Sequence, residues 1–313
     1  MSSLQPDLVL RGNWRNATYT VLRRIRNDCP NVWLGQNNDQ QRVVLKEAYD
    51  NRSFNAEFNA LDGYLRGHGS FRQLVNIIPD QNIMVYEYLA NNLHNVLYTR
   101  PQRKLEEEEV KRVTSVVLQG LATMHEKNLA HTDIKSDNIV VDFDQHGTLS
   151  RIKLIDLGDS VRIEPATNHP YTHPTYRAPE GLFGLPWTTK VDLWALGTLI
   201  MWGLTGARMF SPPGVDEKDE IYHAMILTLQ CAYFGPFPKK YVELSDAITM
   251  RELDGIEGLV TQRGGRRKYR KALATNMSNE TVSFLDKFMR LDPRDRPSPQ
   301  ELLQDQWLSG VVD

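Results

Sequence analysis

The sequence predicts an α+β fold in which a small β-rich part precedes a larger helical part. Three observations carry that reading. Apolar and β-branched segments separated by polar turns run through residues 19–85. After Leu89 the apolar residues recur at helical spacing instead. From Trp187 to the end the pattern is mostly helical, with 41% of the 313 residues hydrophobic, enough for a sizeable core.

Residues 1–18 show no periodicity and are expected to form an N-terminal arm. The strand segments that follow are YTVLRRI, NVWLG, RVVLKEA and IMVYEYL, with QNNDQQ and PDQN as turns. One helix interrupts them, with Phe54, Phe58, Leu61 and Leu65 on one face. A second helix is expected over 106–125, where Val110, Val113, Val117, Leu118 and Leu121 keep helical spacing. Its acidic start, EEEE, suits the positive end of a helix dipole, so a structural role accounts for that run. Short strands are expected at NIVVDF and RIKLID. The most apolar run, LWALGTLIMWGL at 193–204, is too short to cross a bilayer and reads as a buried helix, so no membrane association is expected.

Charge and cysteine content narrow the function classes. Thirty-seven Lys and Arg stand against 39 Asp and Glu, a net charge of −2, which disfavours a dedicated nucleic-acid binder. Cys29 and Cys231 are too few and too distant for a disulfide framework and read as reduced thiols, in keeping with a cytoplasmic or nuclear protein. The N-terminus lacks the basic flank and apolar stretch of a signal peptide. A basic cluster, RGGRRKYRK at 263–271, reads as a solvated loop, with a docking or nuclear-import role as the alternative. His125, His146 and His169 show no metal-ligand spacing.

The chemistry lies in three motifs, with three more that are architectural. HTDIKSDN at 131–138 puts a carboxylate, Asp133, a cation, Lys135, and an amide oxygen, Asn138, on one loop. Phosphoryl transfer needs those three: a group to take the hydroxyl proton, a cation for the moving charge and an oxygen ligand for Mg²⁺. Asp156 opens DLG directly after a strand, where a carboxylate can reach a metal–phosphate complex. Lys46 ends VVLK on a strand, and Glu57 on the next helix is its best ionic partner. YRAPE at 176–180, DLWALG at 192–197 and LDPRDRP at 291–297 supply architectural groups. Glu180 and Arg296 are expected to form a buried ion pair, and Asp192 to tie down the catalytic-loop backbone.

In this order the motifs resemble the eukaryotic protein-kinase family, over about residues 19–308. The resemblance implies a two-lobed protein-kinase fold, with an N-lobe at 19–87, a C-lobe at 90–308, and ATP with Mg²⁺ as cofactors. It makes Lys46 the ATP-anchoring lysine and Glu57 its partner. Glu87 and Leu89 belong to the hinge that meets adenine through backbone groups, and Tyr86 guards the back of that pocket. Asp133 becomes the catalytic base, Lys135 the lysine of the Ser/Thr type, and Asn138 and Asp156 the metal ligands. HTD, DLG and VWL, with VDEKDEIYHAMILTL and FGPFP later on, look most like the SR-protein kinases of the CMGC group, and also like a set of short fungal kinases. A protein substrate phosphorylated on serine or threonine follows, and the likeness to the SR-protein kinases implies an arginine-rich one.

Two departures stand against the family pattern. The template GxGxxGxV, closed by Val32, puts Ile25, Asn27 and Pro30 at the glycine places. Glycine lets backbone N–H groups approach phosphate closely, and proline has no N–H to give. That loss keeps a second reading open, a pseudokinase that binds partners without transferring phosphate. The second departure is His173, which stands where the family keeps a threonine that bridges the catalytic lysine and aspartate, with Thr172 and Thr175 beside it.

Overall fold

The computed structural model describes residues 2–14, 16–26, 29–163, 171–266 and 277–311. The chain divides into two compact units, Met1–Asn92 with Ile139–Ser160, and Leu93–Asn138 with Val161–Asp313.

The first unit is built on a six-stranded antiparallel sheet. Its strands are β1 (Val9–Arg11), β2 (Thr18–Arg24), β3 (Val32–Asn37), β4 (Arg42–Glu47), β5 (Leu74–Ile78) and β6 (Ile83–Glu87), in the order β1-β2-β3-β4-β6-β5. The four expected strand segments become β2, β3, β4 and β6. Inward side chains of this sheet, among them Tyr19, Val21, Trp33, Val43, Leu45, Ile83 and Val85, make one core. Helix α1 (Asn51–Asp62) follows β4. Asp50 caps it by accepting from the Ser53 N–H at 2.7 Å, and Phe54, Glu57 and Leu61 form its buried face.

The described residues of the segment 1–18 are not a free arm. Leu10 of β1 and Leu4 before it lie in the core of this sheet, and β1 pairs with β2 in the register Leu10↔Tyr19. Buried Asn76 holds the connection, accepting from the Trp14 N–H at 2.9 Å and donating to the Trp14 carbonyl and the Tyr19 hydroxyl at 3.0 Å each. A three-residue strand that buries one side chain leaves no periodicity to read.

Residues 139–160 were expected in the C-lobe but pack with the first unit. The strands β7 (Asn91–Asn92), β9 (Ile139–Phe143) and β10 (Leu149–Leu154) form a small sheet in the order β10-β9-β7. Leu154 anchors it beside the larger sheet: its N–H donates to Ser70 O at 2.7 Å, and its carbonyl accepts from Arg72 N at 3.1 Å.

The second unit is helical. Its elements are α2 (Leu93–Thr99), α3 (Glu107–His125), the strand pair β8 (Leu129–Ala130) and β11 (Val161–Arg162), α4 (Pro179–Leu182), α5 (Lys190–Thr205), α6 (Tyr222–Phe234), α7 (Ala247–Gln262), α8 (Asn279–Phe288) and α9 (Pro299–Leu303). The acidic start of α3 is a capping box between Glu106 and Glu109, and Glu109 also receives the Arg100 guanidinium. Helix α5 is buried on nearly every side, as its apolar run predicts. Gly197 lets it approach α8: a Cβ there would meet Met289 Sδ at 2.5 Å and Phe288 Cβ at 2.6 Å. The α5 helix ends at Gly206, in the left-handed conformation that favours glycine. Among the described residues no helix is long and apolar enough to cross a membrane. Of the basic cluster, Arg266 pairs with Glu257 at 3.7 Å, and residues 267–271 lie outside the described residues, as does His169.

Candidate active site

In the first unit, four of the predicted residues meet. Strand β4 pairs antiparallel with β6, so Lys46 lies opposite Met84 and Val44 opposite Tyr86. The Lys46 ammonium donates to Glu57 Oε2 at 2.6 Å and to Asp156 Oδ1 at 2.7 Å. The other Glu57 oxygen, Oε1, accepts from the Tyr86 hydroxyl at 2.6 Å. Burial pulls the ammonium toward its neutral form, but the charges of Glu57 and Asp156 and their hydrogen bonds outweigh it, so Lys46 stays protonated well above its ordinary range. Glu57 is only 2% exposed, so its charge is held by these two partners and not by water.

Burial, followed by the Glu57 charge, raises the Tyr86 phenol well above its usual range, which keeps it a donor. Sequence reading missed the residue behind it. Arg72 is buried, and its guanidinium carbon lies 4.2 Å from the centre of the Tyr86 ring. No motif marks an arginine between Phe71 and Leu74.

Glu87, Leu89 and Val32 are not part of this cluster. The Glu87 carboxylate accepts from Gln73 N at 2.9 Å and pairs with Arg151, which also reaches Asp142 at 3.0 Å. Its side chain is therefore structural. Leu89 is buried, and Ala90 N is taken by Asp142 at 2.7 Å. Val32 opens β3, its N–H on Cys29 O at 3.2 Å and its carbonyl accepting from Ile25 N at 3.1 Å. Pro30 gives its carbonyl to Trp33 Nε1 at 3.1 Å; Asn27 lies outside the described residues.

In the second unit, the loop at 131–138 is fixed from behind by Asp192. Its two oxygens accept from His131 N and Thr132 N, both at 2.8 Å, and Oδ2 also meets His125 Nε2 at 2.9 Å. This is the backbone tie that the DLWALG motif predicts. His125 is therefore an orienting partner of Asp192. The expected buried ion pair is present too. Arg296 reaches Glu180 through two nitrogens at 2.6 and 2.8 Å, both side chains almost fully buried.

Asp133 is the focus of the loop. Its Oδ2 receives the Lys135 ammonium at 2.7 Å and the Asn138 amide at 2.7 Å. Its Oδ1 receives the Thr172 hydroxyl at 3.0 Å. The aspartate half of the threonine contact put in doubt by His173 is thus made one residue earlier. His173 turns away: its ring meets the Thr175 hydroxyl at 2.9 Å and Glu217 Oε1 at 3.1 Å. Because the Asn138 nitrogen points at Asp133, its carbonyl oxygen is the atom it can offer a cation.

Backbone strain falls on the same segments. Thr132, Asp156 and Thr172 have φ of 68°, 69° and 43°, in the left-handed region that non-glycine residues avoid. Such positions persist where surrounding hydrogen bonds hold them, and they cluster at functional sites.

Comparison with known proteins bears on the fold and the family. A solved crystal structure of a kinase domain matches with TM-score 0.74 at 20% identity, covering 98% of each chain, which shows the expected two-lobed kinase fold. The DYRK-family kinase pom1 of Schizosaccharomyces pombe is 28% identical over 241 residues, 75% of this chain and 21% of its own length. Cyclin-dependent kinase F-3 of Oryza sativa subsp. japonica is 26% identical over 308 residues, 91% of this chain and 64% of its own length. The chain thus spans between a fifth and two thirds of these relatives, both of CMGC type, as the motifs lead one to expect. The model of the protein kinase domain matches residues 39–308, most of the sequence, and the chain belongs to that family.

Proposed function

We propose that this chain is a protein serine/threonine kinase that moves the γ-phosphate of ATP to a protein hydroxyl with Mg²⁺ as cofactor. The observation that carries the reading is the convergence on Asp133, whose carboxylate is held by Lys135, Asn138 and Thr172. A carboxylate so fixed keeps lone-pair capacity for one more donor, the substrate hydroxyl. Asp133 accepts that proton as the oxygen attacks phosphorus, and the bond to the ADP oxygen breaks. Lys135 stands where negative charge builds. Lys46 has three N–H donors, two of them on Glu57 and Asp156, which leaves one for a nucleotide phosphate.

Asn138 offers an amide oxygen and Asp156 a carboxylate, each a hard oxygen donor of the kind Mg²⁺ takes. When bound, Mg²⁺ supplies neutralisation of phosphate charge. Adenine is assigned to the hinge backbone between Glu87 and Leu89, and Tyr86 closes the space behind it. The pseudokinase alternative rests on Ile25, Asn27 and Pro30. The complete set Lys46, Asp133, Asn138 and Asp156 weighs against it, since a site without function is not held to its chemistry.

For the substrate we infer a preference for serine near arginine. Residues 216–220, DEKDE, are all exposed and carry four carboxylates, suited to bidentate arginine. The ordinary alternative is a solvated helix approach, since Asp216 caps Lys218 N at 2.9 Å and Glu217 meets His173. A peptide array with phosphoamino-acid analysis tests both levels. Phosphoserine and phosphothreonine are expected, enriched near arginine. The Asp216/Glu217/Asp219/Glu220→Ala variant should lose the enrichment and its salt dependence. An array without arginine preference removes the substrate claim alone, and an array with no phosphate transfer removes the kinase reading.

A further inference from the structure

We propose that Arg72 is a positioning residue: stacked on Tyr86, it fixes the hydroxyl that holds Glu57, and through Glu57 it sets the place of Lys46. The inference rests on Lys46 being the phosphate anchor of the proposed kinase. Four side chains of one unit make the chain. The guanidinium lies 4.2 Å from the Tyr86 ring centre, the phenol donates to Glu57 Oε1 at 2.6 Å, and Glu57 Oε2 accepts from Lys46 at 2.6 Å. The two oxygens of Glu57 therefore answer to different partners, one behind and one in front.

Arginine is a costly choice at this place. It is buried, its Nε has no acceptor among the described residues, and the void bounded by Glu57, Leu61, Arg72, Tyr86 and Leu157 has no room for a water molecule. An apolar side chain of similar length would fill the space without stranding a donor. What methionine cannot supply is charge. Lys46 and Arg72 together match Glu57 and Asp156, and the match matters most at Glu57, which is buried, while the Asp156 side chain stays 39% exposed. A cation over the ring face also draws electron density from the phenol and makes its O–H a stronger donor to the carboxylate. The main chain that carries Arg72 is itself anchored, since Arg72 N donates to Leu154 O at 3.1 Å and Phe71 bridges Leu154. A cost kept in a buried polar cluster is explained by what the cluster positions.

Four variants of the full chain test this: Arg72→Met, Arg72→Lys, Tyr86→Phe and the Met/Phe double variant. Hydrogen exchange over residues 51–62 is measured without nucleotide, with ATP kinetics on a peptide substrate beside it. Arg72→Met and Tyr86→Phe should each speed exchange in α1 and lower kcat/KM for ATP by about tenfold, while exchange in the helices of the second unit stays at the wild-type rate. Arg72→Lys, still a cation over the ring, should recover most of the loss. The double variant should be no worse than the poorer single one, because both act on one contact. Wild-type exchange and kinetics in Arg72→Met, or losses that multiply in the double variant, would overturn the proposal. Exchange reports on Glu57 whether or not phosphate is transferred, so a failure of the kinase reading would appear separately, as a wild-type chain without activity.

Discussion

Thr172 shows how a small register change can preserve a contact. The family pattern places its bridging threonine at 173, where this chain has histidine, yet the Thr172 hydroxyl donates to Asp133 Oδ1 at 3.0 Å. The shift requires the left-handed φ of 43° at Thr172. Arg177 supports it by donating to Tyr171 O at 2.9 Å and Thr172 O at 3.0 Å. Thr172→Val keeps the shape and removes the donor. It should lower kcat by about tenfold and leave the ATP KM near its starting value, while Thr172→Ser should retain most activity. Steady-state kinetics at saturating peptide decide it: equal kcat in wild type and Thr172→Val would show that the contact does not matter. At this scale the sequence was most legible where a motif fixes spacing, as for Asp133, Lys135 and Asn138. It was least legible where a single side chain acts through packing. Arg72 lies in an irregular stretch and stacks on a residue 14 positions away, so neither spacing nor periodicity reveals it.

Elements were legible in proportion to the apolar surface they bury. Strands β2, β3, β4 and β6 and helices α1, α3 and α5 announce themselves through repeating side chains. Strand β1 does not, because it contributes one inward residue and the connection after it is secured at Trp14 by hydrogen bonds with Asn76, far away in sequence. The connection between β2 and β3 bears on function directly. With Ile25, Asn27 and Pro30 at the glycine places, backbone donors for phosphate are fewer, so the ATP KM should be high. Asn27→Gly with Pro30→Gly should lower it, and a low-micromolar KM in the unaltered chain would contradict the argument. The activation segment gives a second expectation. Where phosphorylation-dependent kinases carry an arginine after the catalytic-loop histidine, this chain has Thr132. Its N–H is taken by Asp192 at 2.8 Å, and its side chain cannot form a bidentate ion pair with phosphate. Phosphatase treatment should therefore leave activity unchanged. Loss on treatment, restored by phosphorylation of Thr167 or Thr172, would refute this; Thr167 lies outside the described residues.

At the scale of the whole molecule, one sequence builds two units with different logic. The first gathers Lys46 and Asp156 about the buried Glu57 in an ionic cluster beside an antiparallel sheet. The second braces Asp133 from a buried helix through Asp192 and locks its later segments with the Glu180–Arg296 pair. The boundaries expected from sequence missed that residues 139–160 pair back to the first unit, because that depends on strand partners some 50 residues away, Asn91 and Asn92. The two units carry separable roles, and substitution separates them. Asp156→Asn should weaken the Mg²⁺-dependent part of nucleotide binding. Asp133→Asn should abolish most turnover, by about a hundredfold or more, with nucleotide binding largely kept. The most direct test is therefore transfer of labelled γ-phosphate to serine and threonine peptides by the wild-type chain and by Asp133→Asn, with nucleotide affinity measured on both. The account predicts labelled phosphoserine or phosphothreonine from wild type, almost none from Asp133→Asn, and similar ATP affinity. Equal transfer by the two proteins, or none by either, would contradict it.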